Sequence, residues 1–567
     1  MAALDAQVAV VGAGPIGMTL AGRLAQHGLR VVLLEQHDRH TGEGSKALCM
    51  QRETLEIWAR LGIGERVAER GVQWQIGRTY FRDRELFSVQ LPGSGTDHFP
   101  GFVNINQTEV EEMLLARLRE LPNVEVQWSH RLTGLRQDDD GVTLTCETPD
   151  GEQTLRVAYA IGTDGAHSAV RHLLGMGFPG HSHEDLFLIC DIKAHLPFPN
   201  ERHFHFDPPW NPGRQVLVHP QPDDTWRIDW QVPSGTDVEA ERASGALDRR
   251  IRQVVGETTA YELEWVTAYR FHQRVAPHFR VGRALLAGDA AHLMSPFGAR
   301  GLNSGAADAE NLAWKLALVL DGAAPDVLLD SYEVERRAAA AENLAITDAS
   351  MRFMVPHGPL RRLARNAILR GSVRSGVLRR RVNSGKLSQP FSYAASPVVA
   401  AAHGDDRLPL HGDVAPDARC TVLDAKAASV TRLRDLLGET FVVLLMCRTA
   451  PDAAAAMAIR AAGLSWPAPA RIAALGPDMP LKGVTVLRDV AGDLARIYGG
   501  AGSRAWLIRP DGHLAGSLPL TTRAAVDGLP AVQALAIGER RGELPAPSAA
   551  RRERVRGLLR QRARRAG

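Results

Sequence analysis

Cysteine is scarce in this chain. Its 567 residues carry five, at Cys49, Cys146, Cys190, Cys420 and Cys447, with no CxxC pair and no zinc-ligand spacing. That excludes a disulfide framework, and reduced thiols in a cytoplasmic protein are the plain reading. An excess of one charge is missing too: 67 Lys and Arg against 64 Asp and Glu leave a net charge of +3, which gives no reason to expect a nucleic-acid partner. No apolar run approaches the roughly 20 residues that a membrane-spanning helix needs. The chain enters a strand pattern at once, with no signal-like segment before it, so neither membrane insertion nor export is expected. The length accommodates two or three domains.

What the chain does have is glycine in two nucleotide-type patterns. Val8–Val11 is a short β-rich run leading into Gly12-Ala13-Gly14-Pro15-Ile16-Gly17, and Met18–His27 then reads as a helix. Val31–Leu34 is a second strand, ending at Glu35 and Gln36. This βαβ setting turns a weak G-x-G-x-x-G match into a strong dinucleotide fingerprint. Gly12 permits the tight turn, Gly14 lets the backbone approach a pyrophosphate, and Gly17 lets the helix pack on the strand. Glu35 is placed to accept hydrogen bonds from ribose hydroxyls. The motif alone does not separate NAD from FAD.

Two further turns bear on that choice. Ala160-Ile161-Gly162-Thr163-Asp164-Gly165 ends one strand in a carboxylate and a glycine, and Gly288-Asp289-Ala290-Ala291-His292 follows the apolar run Arg283–Ala287 in the same way. Each aspartate alone could be a helix cap. Together, after Gly12–Gly17, they suit a polyol, and a flavin's ribityl chain is one. The second turn continues through Pro296 to Gly298-Ala299-Arg300-Gly301-Leu302-Asn303 and into an Ala/Leu-rich helix beginning at Asn303 or Ser304. Backbone N–H groups at such a helix start favour negative charge on a flavin edge. Pro296 stiffens the loop into a wall beside the reacting carbon. His292 reads as either a structural or a catalytic histidine.

These motifs resemble those of the group A flavoprotein aromatic hydroxylases, the family of para-hydroxybenzoate, phenol and 3-(3-hydroxyphenyl)propionate hydroxylases. The resemblance covers roughly residues 6–355 and rests on Gly12–Gly17, Asp164-Gly165, Gly288-Asp289 and the Pro296–Asn303 loop. It implies that Gln107, in Asn106-Gln107-Thr108-Glu109-Val110, touches the flavin side of the site. It also implies a pyrophosphate contact at Lys46, where the family usually has Arg; a lysine offers a point charge without the bidentate fork. FAD is then the cofactor, NADPH or NADH the reductant with no dedicated nicotinamide domain, and O2 the oxidant. A flavin C4a-hydroperoxide would hydroxylate a phenolic or related small aromatic substrate.

The fold class expected is α/β. A Rossmann-like FAD-binding domain (1–180 and 273–355) is interrupted by a mostly antiparallel substrate-binding sheet (181–272). A helical linker (356–404), a thioredoxin-like domain (405–535) and a basic tail (536–567) follow. The inserted sheet is read from period-2 runs such as His203-Phe204-His205-Phe206 and Thr225–Gln231. The thioredoxin-like reading comes from resemblance to phenol hydroxylase. Cys447-Arg448-Thr449-Ala450 lacks the second cysteine of thiol exchange, so a structural or dimer-contact role, and with it a homodimer, stays open. His203 and His205 share a strand face, yet no third ligand has a convincing spacing, so no metal is expected. The basic stretch Arg361–Arg381 lacks aromatic interleaving and reads as a solvated face or subunit contact.

A base or relay should take the phenol's proton. His205, His219, Asp229 and Tyr269 are the candidates beside Pro296, and the sequence does not choose among them. Arg202, Arg214 and Arg227 suit a carboxylated phenol if they face the pocket, and are otherwise surface charges. A flavin halogenase is excluded by the missing GWxWxIP signature. A flavin reductase, an epoxidase and a non-enzymatic redox-gated binding protein remain as rivals.

Overall fold

The computed structural model describes residues 4–40, 47–90, 98–296, 298–356, 358–382, 389–401, 408–423, 428–447, 466–468, 470–475, 484–499, 502–520 and 522–539. Lys46, the segment after Cys447 and the basic tail from residue 540 lie outside them. The chain divides into two compact units. One comprises Met1–Leu320 with Tyr332–Phe391, the other Asp321–Ser331 with Ser392–Gly567. The boundary after Phe391 leaves the helices Pro359–Ser372 and Gly376–Val382, expected as linker, with the first unit.

The first unit is built on two eight-stranded sheets. In one, Ala6–Val11 lies between Val31–Leu34 and Gly151–Gly162, all parallel, with Val124–Gln127 and Ala284–Leu286 continuing parallel on either side. The four residues Val31–Leu34 are all buried, as a sheet covered on both faces demands. Because the chain leaves Ala6–Val11 for Val31–Leu34 on one side and later returns as Gly151–Gly162 on the other, the carboxyl end of Ala6–Val11 is a crevice where the strand order reverses. The glycine turn sits there. Helices Pro15–Gln26 and Gly301–Leu320 pack close to each other. Arg23 Nε meets Glu310 Oε2 at 2.7 Å and Arg60 Nη1 meets Glu310 Oε1 at 2.5 Å, all three side chains nearly excluded from water. Such a pair costs desolvation and returns geometry rather than large net stability.

The second sheet runs in the order His292–Leu293, Glu262–Val275, Gly180–Lys193, Thr225–Val232, Gln215–Pro220, Arg202–Phe206, Ile76–Phe81, Arg84–Gln90. Every pairing is antiparallel except that of Arg202–Phe206 with Ile76–Phe81. Its last two strands come from residues 76–90, well before the alternating region that announces the sheet in sequence. Alternation gives this sheet two chemically distinct faces. Leu188, Cys190, Val216, Val218, Ile228 and Trp230 form a core with Leu247, Ile251 and Val255 of helix Ala246–Val255. The opposite set faces a cavity.

The second unit holds a seven-stranded mixed sheet. Phe441–Met446, Ala470–Leu475 and Thr485–Asp489 are parallel, and Arg504–Ile508 with Leu514–Pro519 forms an antiparallel hairpin beside them. The sheet accords with the thioredoxin-like expectation. Its core gathers Val442, Leu444, Leu487, Tyr498 and Trp506. Among the described residues no helix is long and apolar enough to cross a membrane.

Candidate active site

A single cavity of about 700 Å³ opens along the first unit, and its lining joins the sequence motifs end to end. At one end is the glycine turn. Gly12 has φ +103°, and a Cβ there would stand 2.8 Å from Asp164 Cα. A Cβ at Gly17 would lie 1.9 Å from the Gly12 carbonyl oxygen, so helix and turn touch backbone to backbone. A Cβ at Gly14 would meet nothing within 4 Å. Its missing side chain therefore leaves space for a ligand rather than for the fold. Pro15 opens the helix, where its missing N–H costs nothing. The Glu35 carboxylate accepts from Ala13 N at 2.9 Å and His37 N at 3.1 Å, holding the turn while lining the cavity beside Gln36.

Midway, Asp164 accepts from Ser168 Oγ at 2.5 Å and Val170 N at 3.1 Å. Its carboxylate thus anchors its own turn. Burial still pushes its pKa up against those bonds. Arg171 carries this turn to the next one, donating to the Ala290 carbonyl at 2.8 Å. There Asp289 is exposed, between buried Gly288 and Ala290, and lines the cavity. Asp308 holds the turn from behind: it accepts from Gly288 N at 2.9 Å, contacts His292 Nε2 at 2.7 Å and meets Arg336 Nε at 2.5 Å. His292 is wholly buried in this network and does not line the cavity, which favours the structural role.

Pro296 and Gly298–Asn303 come next along the lining. The helix begins at Gly301, two or three residues earlier than expected. Asn303 pins the loop to the strand Cys49–Gln51. Its Oδ1 accepts from Gln51 N at 2.8 Å and Thr54 Oγ1 at 2.7 Å, and its Nδ2 donates to Cys49 O at 2.9 Å. Gln107 accepts from Ala47 N at 3.0 Å at the cavity edge. Two helix starts, an exposed carboxylate and a side-chain-free approach at Gly14 thus occur in the order that FAD requires. The residues fit that group.

The far end of the cavity is a chamber under the second sheet. Phe187, Ile189, Leu217 and Phe271, with Trp74 and Phe102 from earlier in the chain, supply aromatic and aliphatic wall. Arg202, His219, Arg227, Asp229, Thr267 and Tyr269 supply the polar part. Register accounts for this selection: Leu217 pairs with Asp229, which pairs with Ile189, which pairs with Thr267. Arg227 is held by Asp191 through two bonds of 2.7 Å, both side chains buried. Burial pushes Asp229 up to about 7, with Arg227 and Arg202 opposing and Asp191 adding to the rise. Burial, helped by Arg202, Arg227 and His203, drives His219 well below the usual histidine range. Tyr269 is raised by burial and by the Asp289 charge.

Of the four candidate proton acceptors, His219, Asp229 and Tyr269 come together on the cavity wall. His205 does not. It lies on the other face of its strand, stacked on Tyr80 with ring centroids 4.5 Å apart, and burial lowers its pKa to about 4. A one-residue phase decides this, since neighbours in a strand point to opposite faces. Arg202 and Arg227 line the cavity and Arg214 does not. Cys49 and Trp74, neither of them a site candidate in the sequence, also line the cavity, and Asn104 ties the two together. Asn104 Oδ1 accepts from Trp74 Nε1 at 2.9 Å and Cys49 Sγ at 3.0 Å. No motif announces them, because they are brought in by the small sheet of Cys49–Gln51, Phe102–Asn104 and Val72–Gln73.

Comparison with known proteins agrees with this geometry. A family model described as "FAD binding domain" matches residues 5–347. A 3-(3-hydroxy-phenyl)propionate/3-hydroxycinnamic acid hydroxylase of Mycolicibacterium smegmatis is 32% identical over 358 residues, 62% of this chain and 61% of that protein. A rifampicin monooxygenase of Streptomyces venezuelae is 35% identical over 351 residues, 61% of this chain and 71% of that one. Among solved structures, the flavin-dependent monooxygenase PieE, in complex with FAD and substrate, shares the fold with a TM-score of 0.79 at 23% identity, over 95% of this chain and 100% of that one. Aklavinone-11 hydroxylase with FAD and aklavinone gives a TM-score of 0.77 at 25% identity, with the same coverage. The chain thus spans about three fifths of the hydroxyphenylpropionate hydroxylase that it matches, 61% of its length.

Proposed function

We propose, from the premise that this chain belongs to the FAD-binding-domain family, that it is a monooxygenase hydroxylating a phenolic or related aromatic compound. The observation that carries this reading is the single cavity, which runs from the Gly12 turn past Asp289 to an aromatic-lined chamber. A cofactor held along such a path ends beside a substrate-sized space. In the overall reaction one atom of O2 enters the ring and the other leaves as water, with NADPH or NADH supplying two electrons. The chemistry that bound FAD supplies is hydride acceptance and oxygen activation.

The chain's own residues do the holding, orienting and proton transfer. Gly12, Gly14, Pro15, Ile16 and the helix N-terminus bind the pyrophosphate, and Gly17 keeps that helix in place. Glu35 and Gln36 bind the adenosine ribose. Asp289, placed by Gly288, accepts from the ribityl hydroxyls. Asp164 and Gly165 shape the adjoining turn. Gly301, Leu302 and Asn303 present backbone N–H groups to the ring edge, an arrangement worth roughly 0.3–1 kcal/mol per charge at a helix end. Gln107 borders the flavin side, and Lys46 belongs to the same proposal as a pyrophosphate contact. Pro296 walls the reacting face and helps exclude water. Asp229 takes the phenolic proton: it faces the chamber and titrates near neutrality, where a base is most effective. His219 and Tyr269 orient the substrate oxygen. The protein works in the cytoplasm, as its scattered thiols favour.

The experiment is direct. Purified protein carrying a yellow flavin spectrum is given NADPH or NADH and O2 with a panel of phenols, and products are weighed by mass spectrometry. A product heavier by one oxygen supports hydroxylation. If every phenol leaves NAD(P)H oxidation unstimulated and no oxygenated product appears, the reading fails; stimulated oxidation without oxygenated product indicates a reductase instead.

A further inference from the structure

Two helices at the end of the first unit invert the usual arrangement of a protein surface. In Pro359–Ser372 the buried positions are Arg365, Leu369 and Ser372. Leu360, Leu363, Ala364 and Ala367, at the i, i+3, i+4, i+7 spacing of one helix face, are all exposed. A surface helix ordinarily turns its apolar stripe inward. Here Arg365 is accommodated inside by the Met354 carbonyl, to which its Nη1 donates at 3.1 Å, and Leu369 joins the cluster of Phe81, Phe204 and Phe206. The inner face is therefore secured while the leucines stay outside. Helix Gly376–Val382 continues the pattern. Of the seven large apolar side chains left exposed among the described residues, four fall within residues 360–377: Leu360 at 80%, Leu363 at 65%, Val373 at 38% and Val377 at 75%.

The arginines around this stripe lack anions. Pro359–Val382 contains eight arginines, and the chain carries no Asp or Glu between Asp348 and Asp405. Arg361, Arg362, Arg370, Arg374 and Arg379 are exposed and form no ion pair among the described residues. Elsewhere on the same unit surface arginines find carboxylates: Arg70 meets Glu109 and Asp223, Arg131 meets Glu147, and Arg252 meets Asp248. Arg370 and Arg379 instead lie over the rings of Phe81 and Phe87, each 5.6 Å from the centroid. Those contacts fix the two helices to strands Ile76–Phe81 and Arg84–Gln90 and leave the charges uncompensated.

We propose that this pair of helices is a docking surface for an anionic phospholipid bilayer, on which the protein lies without crossing it. Among the described residues no helix is long and apolar enough to span. Leucine and valine side chains this exposed enter the boundary between headgroups and acyl chains, while the arginines beside them meet the negative headgroups. Charge complementarity selects this occupant. A second copy of the chain, in a twofold contact centred here, would set arginine against arginine with no carboxylate in the segment to relieve it. A nucleic acid would engage the arginines and leave the leucines idle. An anionic bilayer uses both.

The test uses the full-length protein with vesicles of phosphatidylcholine alone or in equal mixture with phosphatidylglycerol. Co-sedimentation should show binding to the anionic vesicles, little to the neutral ones, and release as salt is raised. A variant combining Arg361→Gln, Arg362→Gln and Arg374→Gln should bind on the order of tenfold to a hundredfold more weakly. Leu360→Ser with Leu363→Ser should weaken binding roughly tenfold. Both variants should melt close to wild type, since all five side chains are exposed. Binding lost with the arginines but untouched by the leucine substitutions indicates a purely electrostatic partner and overturns the proposal. Binding that survives in both variants places the contact elsewhere on the chain, with the same consequence. Absence of binding to either vesicle also overturns it. In that case a dimer that dissociates in the Leu360/Leu363 variant identifies a second copy as the occupant, and affinity for poly-glutamate identifies an acidic protein.

Discussion

Asp229 and Asp289 are two carboxylates in one cavity with opposite requirements. Asp289 is exposed at the turn, where a charged acceptor costs little. Asp289→Ala should weaken FAD binding roughly tenfold or more, the equivalent of about 1.5–3 kcal/mol for a hydrogen bond to a charged group; unchanged affinity in a titration would misplace the ribityl contact. Asp229 is half-buried, and its folded-state pKa, about 7, lies above the unfolded value. The protonated form is therefore favoured by folding. Its contribution to stability is intact below the unfolded pKa near 3.8 and is lost as pH rises through about 7. Asp229→Asn should accordingly stabilise the protein more at pH 8 than at pH 5, by on the order of a few kcal/mol, read as a larger gain in melting temperature at the higher pH. The same variant should lose the rise in kcat/KM that a weakly acidic phenol shows through neutral pH in wild type. A pH profile identical to wild type would remove Asp229 from the proton transfer.

At the scale of elements, the glycine turn separates what serves the fold from what serves the ligand. Gly17 packs backbone against backbone, and an added Cβ would sit 1.9 Å from the Gly12 oxygen. Gly17→Ala should therefore lower the melting temperature of the apoprotein markedly. Gly14 has φ −74° and ψ −179°, which any residue adopts, and its Cβ would meet open space. Gly14→Ala should melt like wild type without FAD and bind FAD at least roughly tenfold more weakly, because the methyl group occupies the approach of the pyrophosphate. Equal effects of the two substitutions on apoprotein melting would refute this division. The βαβ spacing made both glycines legible in the sequence. The start of helix Gly301–Leu320 was legible only to within a few residues, because Asn303 is tied to Cys49 and Gln51 more than 250 positions away.

For the whole molecule, all of the cavity lining belongs to the unit of Met1–Leu320 and Tyr332–Phe391. FAD should stabilise that unit alone. Calorimetry should resolve two transitions, with only one rising on addition of FAD; at a hundredfold excess over Kd the gain is about 2.7 kcal/mol. A uniform shift of both transitions would show that the units unfold as one. The second unit has its own sheet and core, and no disulfide joins its described cysteines, Cys420 and Cys447.

Cofactor and architecture could be read from the sequence because they depend on local patterns. A glycine at a turn, a carboxylate at a strand end and a helix period are each set by neighbours a few residues apart. The chamber is different. The run His203-Phe204-His205-Phe206 alternates perfectly, yet alternation is silent about which phase faces inward, so His205 and His219 were equal candidates in sequence. The strand pairings placed His205 against Tyr80 and His219 on the cavity wall. They also left Arg202 without a carboxylate while giving Arg227 its partner Asp191, 36 residues away in the chain. Which charges are paired and which await a ligand depends on register and burial across distant strands, and only the tertiary structure sets these.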